Sequence, residues 1–309
     1  MSPQQRCMMR QHQPLSQSAL CLSGAVRTLP VTYESIVPLR KSFKDGLLDT
    51  FMFVSRSGES DETFQNVVRA LQPVSVRKYD RGAFASEAPG SSSQCFCKPA
   101  TATNESTPLD QREELRHFSW HGVQFWALHK CVGLLLEHER VRRLSTWSSA
   151  LHSEDAAYYL YRWIVRARPD LSFTHPKLPF HLARIQRTRD MDPLQDRTVW
   201  YRRGHVSDSF ALMTRAALSS YSTIWDEFLG GCETLPTENE RQEICSKAVQ
   251  VREAMGTECL ITVHLLRFNV TVSTRVDVFR PGIIRPNTTS KAEIMRREGL
   301  PNYFWCPHT

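Results

Sequence analysis

The first half of the chain alternates short apolar runs with segments of helical periodicity, and this pattern constrains the fold more than any other feature. Two amphipathic segments, at 32–43 and 62–71, space their apolar residues for one helix face, although Pro38 interrupts the first. Around them lie four apolar runs of strand length, at 18–24, 49–55, 74–79 and 161–166. Strand–helix–strand order is typical of parallel sheets covered by helices. We therefore predict an α/β fold in which these four runs are neighbours in one mostly parallel central sheet flanked by helices.

Later segments are predicted to complete this domain. In a helix, residues 117–143 would place apolar side chains around most of its circumference. They are therefore expected to form a long helix packed on the sheet. The remaining periodic segments indicate strands at 198–201, 208–215 and 270–279, with the second turning into a helix, and helices at 238–255 and 258–268.

The domain organisation follows from changes in composition. Residues 1–17 are polar and are expected to be a disordered leader ahead of a single domain at 18–279. Within that domain, 80–112 is rich in Ser, Pro and Gly and is predicted to be a flexible loop. The Pro-rich segment 280–309 is predicted to wrap the surface as a tail.

Composition excludes several classes of protein. With 41% hydrophobic residues among 309, the chain has enough apolar material for a core and is not wholly disordered. It has no apolar run of about 18 residues, so no transmembrane segment is expected. The net charge of +7 comes with no long basic tract, which argues against a histone-like tail and leaves discrete anion pockets possible. No nucleic-acid partner is expected.

The cysteines and the possible N-glycosylation triplets indicate little about fold or function. The nine cysteines include no C-x-x-C pair, and Cys95 and Cys97 are interpreted as two thiols in a flexible loop. Asn-x-Ser/Thr triplets occur at Asn104, Asn269 and Asn287. No signal peptide is visible, so these triplets are interpreted as coincidence.

Polar residues cluster where predicted strands end, which is where α/β sheets bind ligands. Gly24 follows the first strand and would let a phosphate approach the backbone, and Arg27 could bind that phosphate. The alternative is an ordinary turn with a surface arginine. Arg166, Arg168 and Asp170 lie at the end of the fourth strand, where the arginines could hold phosphates directly and Asp170 could do so through a divalent cation. The alternative there is an Arg–Asp pair that stabilises the strand–loop junction.

Three further residues have open roles. Asp208 could accept a hydrogen bond from a sugar hydroxyl, or it could be a turn or helix-capping residue. Glu258 could be a catalytic base, although an acidic residue in a first helical turn is commonly a partner of the helix dipole. His264 lies on an apolar helix and is interpreted as a core histidine.

The order of these motifs resembles nucleotide-diphospho-sugar glycosyltransferase-like proteins of the GT-A type. The resemblance rests on the strand Ala19–Leu22 with Gly24-Ala-Val-Arg27, a second strand that begins with Asp49, the Arg166-Ala-Arg-Pro-Asp170 run, Asp208-Ser-Phe-Ala with Arg215, and the Glu258-led helix. It spans about residues 19–275. It implies a GT-A, or Rossmann-like, sheet with a nucleotide diphosphate sugar in the crevice after the first strand.

The resemblance also implies an activity and a metal. It implies transfer of a sugar to the hydroxyl of an unidentified acceptor (glycan, protein or lipid), with donor phosphates on Gly24, Arg27, Arg166 and Arg168. Asp208 and Glu258 would be catalytic, and the 80–112 loop would close over the donor. The family holds Mn²⁺ or Mg²⁺ at an Asp-x-Asp, whereas this chain has Arg168-Pro-Asp170, so Asp170 is the one candidate metal ligand.

Two other functions remain open at this level. One is a non-catalytic nucleotide- or glycan-binding protein on the same fold, and the other is transfer of phosphate or sulfate, against which the lack of a P-loop counts. The compartment would be the Golgi or the secretory pathway if the resemblance holds, and the cytoplasm otherwise.

Overall fold

The computed structural model describes part of the chain. The described residues are 18–25, 29–41, 48–55, 61–79, 109–147, 160–172, 191–202, 209–230, 240, 243–244, 257–276, 282–286 and 303–306. The predicted leader at 1–17 lies outside them, as do most of the predicted loop at 80–112 and most of the predicted helix at 238–255.

The described elements alternate between strands and helices up to residue 167. The strands are β1 (Ser18–Ala25), β2 (Asp49–Ser55), β3 (Ser75–Tyr79), β4 (Trp163–Ala167), β5 (Leu171–Ser172), β6 (Thr198–Arg202), β7 (Phe210–Thr214), β8 (Thr271–Val276), β9 (Gly282–Pro286) and β10 (Tyr303–Cys306). The helices are α1 (Leu29–Lys41), α2 (Asp61–Leu71), α3 (Leu109–Trp147), α4 (Arg215–Ser222), α5 (Ile224–Gly230) and α6 (Thr257–Arg267).

The central sheet has seven strands in the order β3-β2-β1-β4-β7-β6-β8. Strands β3, β2, β1 and β4 run parallel, which confirms that the four predicted runs are neighbours in one sheet. Strand β7 is antiparallel to both β4 and β6, and β6 pairs with β8 in parallel. The fold is therefore α/β with a mixed, mostly parallel sheet.

Helices cover both faces of this sheet, so its strands are buried on both sides. Along β1, Leu20 and Leu22 face the core that α1 and α2 complete, whereas Ala19 and Cys21 face the core that α3, α4 and α6 complete. We call the second face the α3 face. Helix α3 contributes Trp126 and Leu135 to it, so the predicted packing of the long helix on the sheet is confirmed.

The structure has helix and strand in segments that were predicted as loop and tail. Helix α3 begins at Leu109 rather than 117, because good helix formers follow Pro108 and extend the helix into the segment predicted as loop. Within 280–309, predicted as a surface tail, β9 pairs with both β10 and β5 in a second, three-stranded sheet. Helix α1 continues through Pro38 to Lys41.

Buried polar contacts hold α3 against the amino-terminal edge of the sheet. The Glu139 carboxylate is completely buried and accepts hydrogen bonds from the Tyr161 backbone N–H (2.9 Å) and from Nε (3.3 Å) and Nη2 (3.0 Å) of Arg215. The Tyr161 hydroxyl donates to Oδ2 of Asp49 at 2.6 Å, and the Arg142 guanidinium lies 4.9 Å from the Tyr161 ring centre. Asp49 and Arg215 belong to the motifs that suggest the GT-A resemblance, yet both contact structural residues at this edge.

A disulfide joins the centre of α3 to the centre of the sheet. Cys131 on α3 and Cys21 on β1 are both completely buried, and the bond links positions 110 residues apart in the chain. Cross-linking distant positions restricts the unfolded chain and so stabilises the folded state. Nothing in the cysteine spacing indicates this pair.

The double variant C21A/C131A is expected to lose about 2 kcal/mol of unfolding free energy, within the usual range for a native disulfide. Urea unfolding under oxidising conditions measures the loss, and mass mapping without reductant detects the linked peptides in the parent chain. Equal stability of the two proteins, together with free thiols at both positions, would contradict this prediction.

Candidate functional site

The carboxyl ends of β1 and β4 meet at one edge of the sheet, where Gly24 closely approaches the chain after β4. Gly24 has a φ of 130°, a conformation that favours glycine, and a Cβ built there would lie 3.4 Å from Cδ of Pro169. The Thr32 hydroxyl on α1 donates to the Pro169 carbonyl at 2.5 Å. The end of β1 and helix α1 therefore both contact Pro169 after β4.

Arg166 places a positive charge inside the α3 face close to this edge. It is 2% exposed, and strand alternation puts it on the same side as Ile164, which belongs to that core. Its Nε and Nη1 have no hydrogen-bond partner among the described residues. Burying an unpaired cation is costly, so this guanidinium is suited to a site where an anion completes its hydrogen bonds.

Tyr201 faces the same space from β6. Arg166 pairs with Ala211 and Trp200 pairs with Leu212, so Tyr201 lies two strands from Arg166 in one row across the sheet. That separation is roughly 10 Å between backbones, and the small Ala211 side chain lies between the two larger ones. Long side chains from both positions can therefore meet above Ala211.

The electrostatics of Tyr201 link it to other polar groups on the α3 face. Burial raises the pKa of its phenol well above the ordinary value, Tyr221 and Glu258 raise this pKa further, and the Arg166 charge opposes the rise. Apart from each other, the Tyr201 and Tyr221 hydroxyls have no hydrogen-bond partner in the described part of the chain. Tyr201 is therefore a neutral phenol that can donate a hydrogen bond, and its pKa responds to Arg166, Tyr221 and Glu258.

Arg168 and Asp170 bind each other. Nε of Arg168 donates to Oδ1 of Asp170 at 3.0 Å, and Nη2 donates to Oδ2 at 2.5 Å. The Asp170 side chain is 5% exposed and that of Arg168 is 18% exposed. The structure thus contains the Arg–Asp pair that the sequence left open as the alternative to a phosphate or metal site.

This geometry does not fit a divalent cation on Asp170. Both carboxylate oxygens already accept hydrogen bonds from a guanidinium, and hard cations require several oxygen ligands. No group of three or more His, Cys, Asp or Glu side chains in the described segments could hold a metal ion.

Asp170→Asn is expected to lower the unfolding free energy by about 1.5 kcal/mol, the lower range for a hydrogen bond to a charged group, because Arg168 loses its charged partner. Thermal unfolding should give the same loss with and without Mn²⁺. Asp61→Asn is the matched control, because Asp61 is 92% exposed in its pair with Lys78 and should change nothing measurable. A loss seen only with Mn²⁺ would show that Asp170 binds metal.

The other predicted site residues lie in different places. Arg27 and Asp208 fall outside the described residues, although Ser209, next to Asp208, accepts a hydrogen bond from the Arg168 backbone N–H at 2.9 Å. Glu258 lies in the first turn of α6 and is partly buried. His264 is 1% exposed, with Nε2 2.5 Å from the Ser220 carbonyl and Nδ1 2.8 Å from Oε2 of Glu227, in keeping with a core histidine.

Sequence reasoning missed Tyr201, Tyr221 and Ser23. Ser23 is 2% exposed and follows Cys21 by two residues, which puts it on the α3 face. Its hydroxyl has no partner within the described ranges. In the sequence, Tyr201 looks like any aromatic of a buried strand, and Ser23 looks like part of a turn. Only the pairing of β4, β7 and β6 reveals that Tyr201 and Arg166 share one row.

Within the described residues, no helix is long and apolar enough to cross a membrane. Comparisons with protein-family models, with curated proteins and with solved structures find no match.

Proposed function

We propose that this protein is a GT-A-like glycosyltransferase that transfers a sugar from a nucleotide diphosphate sugar to an acceptor hydroxyl. The observation that carries the proposal is the buried Arg166 guanidinium, which has unsatisfied donors near the carboxyl edge of β4. The diphosphate of a nucleotide sugar suits such a cation, because phosphate oxygens accept charge-assisted hydrogen bonds from arginine. The neighbouring Gly24 lies at the same edge of the sheet, in close contact with Pro169 after β4.

The departing diphosphate gains negative charge as the bond to the sugar breaks. Fixed donors directed at that charge stabilise the transition state, and they are most effective where water is excluded. Arg166 supplies the positive charge, and Tyr201 remains a neutral donor because its pKa is raised. Arg168 orients Asp170 through their ion pair at the rim of the site. The proposed roles of Asp208 and Glu258 are to orient the acceptor hydroxyl and to remove its proton.

This proposal is metal-independent, in contrast to the Mn²⁺ or Mg²⁺ that the family resemblance implies. Arg168 occupies the first position of the tripeptide where the family has a carboxylate, and it also engages both oxygens of Asp170. In this proposal the Arg166 guanidinium supplies the charge neutralisation that a cation provides in other proteins of this type.

Calorimetric titration with UDP, GDP, ADP and CDP tests donor binding directly. At least one of these nucleotides should bind in the presence of EDTA, with little change in affinity when Mn²⁺ is added. The nucleotide sugar that contains the bound nucleotide should then be tested as a donor. Transfer should release the nucleotide faster when an acceptor is present than when it is absent. If no nucleotide binds under either condition, the donor-site assignment is wrong.

A non-catalytic nucleotide-binding protein is the second candidate. The Arg168–Asp170 pair favours it, because the only carboxylate at the expected metal position is engaged in an ion pair. Such a protein would bind the nucleotide sugar and leave it intact over long incubation. Sugar transfer to any acceptor would exclude this candidate.

A further inference from the structure

Asn269 lies in a tight turn between α6 and β8, within the triplet Asn269-Val270-Thr271. The Asn269 backbone has a φ of 54°, a left-handed conformation that asparagine tolerates well, and its N–H donates to the Leu266 carbonyl at 3.0 Å. Val270 is 2% exposed and anchors the turn in the core. The side chains of Asn269 and Thr271 are both exposed. The fold thus presents the amide and the hydroxyl of this triplet to solvent.

The space around Asn269 is open and polar. β8 is the last strand in the sheet order, and its first residue pairs with Thr198. A groove of about 550 Å³ adjoins the turn and is lined by Asp196, Arg197, Thr198 and the two exposed residues of the triplet. β6 and β8 run parallel to β4, so this turn is at the amino-terminal edge of the sheet. A bulky group on Asn269 would therefore leave the site near Arg166 unobstructed.

The disulfides point to the compartment in which such a group is attached. Cys21 and Cys131 are bonded, and Cys259 is also in a disulfide. Disulfides persist in oxidising compartments such as the secretory lumen and are rare in the cytosol. Asn-x-Ser/Thr triplets are glycosylated in that same lumen. Of the three triplet asparagines, Asn269 is among the described residues, whereas Asn104 and Asn287 are not.

We propose that Asn269 carries an N-linked glycan. Nδ2 of Asn269 forms the bond to the anomeric carbon of a lipid-diphosphate-linked oligosaccharide, and the bond from that carbon to the diphosphate oxygen breaks. The diphosphate leaves with the electron pair, the amide loses one proton, and no group is oxidised or reduced. The oligosaccharyltransferase of the lumen catalyses the step, and the Thr271 hydroxyl completes the recognition triplet.

The test uses the full chain, expressed behind a secretion signal in a eukaryotic host, with Asn104→Gln and Asn287→Gln introduced so that one triplet remains. Intact mass of the total cell-associated and secreted protein should show a single glycan that peptide-N-glycosidase F removes. Peptide mapping should then find aspartate at position 269.

Variants at Thr271 separate recognition from folding, because they leave the left-handed Asn269 unchanged. Thr271→Ala should abolish the glycan, and Thr271→Ser should retain it. Circular dichroism of the de-glycosylated proteins should give similar melting temperatures for all three. An unmodified chain with the native Asn269-Val270-Thr271 triplet, whether secreted or retained, would overturn the proposal. Nucleotide binding is not part of this test, so the result stands apart from the proposed function.

Discussion

Replacing Glu139 with glutamine is expected to lower the free energy of unfolding by about 3 kcal/mol. Breaking a buried ion pair by removing one partner usually costs about 3–5 kcal/mol. The loss should fall at the lower end of that range, because the Arg215 side chain keeps 20% of its surface exposed and can be partly solvated. Glutamine can still accept the Tyr161 backbone N–H through its amide oxygen, so the variant isolates the charge. Urea unfolding at neutral pH measures the change.

The same helix provides a matched control for this variant. Glu137 lies two residues away and pairs with Arg140 at 2.7 Å, but both side chains are more than half exposed. Solvent screens such a pair, so Glu137→Gln should unfold at the same urea concentration as the parent chain. Equal losses in the two variants would mean that Glu139 stabilises through general helix effects and that the buried contact with Arg215 contributes little.

Replacing Arg166 with methionine is expected to weaken nucleotide diphosphate binding by 100-fold or more while leaving stability unchanged or raised. Removing one partner of a buried, hydrogen-bonded charge pair typically costs about 2–5 kcal/mol of binding free energy. Methionine has similar length and no charge, and it relieves the cost of burying a guanidinium whose Nε and Nη1 are unsatisfied. Calorimetric titration and urea unfolding of one preparation measure both quantities.

Arg162→Met is the control for Arg166→Met. Arg162 is exposed and precedes β4 at the opposite edge of the sheet, so the substitution removes the same charge from the same segment without touching the proposed site. It should leave affinity and stability unchanged. A large loss of stability in Arg166→Met with unchanged affinity would show that Arg166 is part of the core and does not bind the donor.

The motifs behind the GT-A resemblance differ in what they do in the fold. Gly24 and Arg166 lie near the edge where ligands bind in parallel sheets. Asp49 and Arg215, from equally suggestive motifs, contact Tyr161 and Glu139 at the opposite edge. A residue's place in a motif therefore does not reveal whether it meets a ligand or another side chain, because both edges of a buried sheet need polar groups to end its strands.

Local pattern was sufficient to predict where chain segments become strands and helices. The period of the apolar residues is set by backbone geometry alone, so β1, β2, β4 and α2 follow from the sequence, and Gly24 at the end of β1 follows with them. The same periodicity does not report strand direction, so the antiparallel placement of β7 between β4 and β6 could not be predicted.

Tertiary structure alone decided which polar groups meet. Arg168 and Asp170 are two residues apart, yet whether they bind each other or a ligand depends on how the chain turns after β4. Arg166 and Tyr201 are brought into one row by strand pairing, and Cys21 reaches Cys131 because α3 crosses β1. Each of these contacts joins a particular face of one element to a particular face of another. Such contacts depend on sheet order and helix packing, which are properties of the whole folded chain.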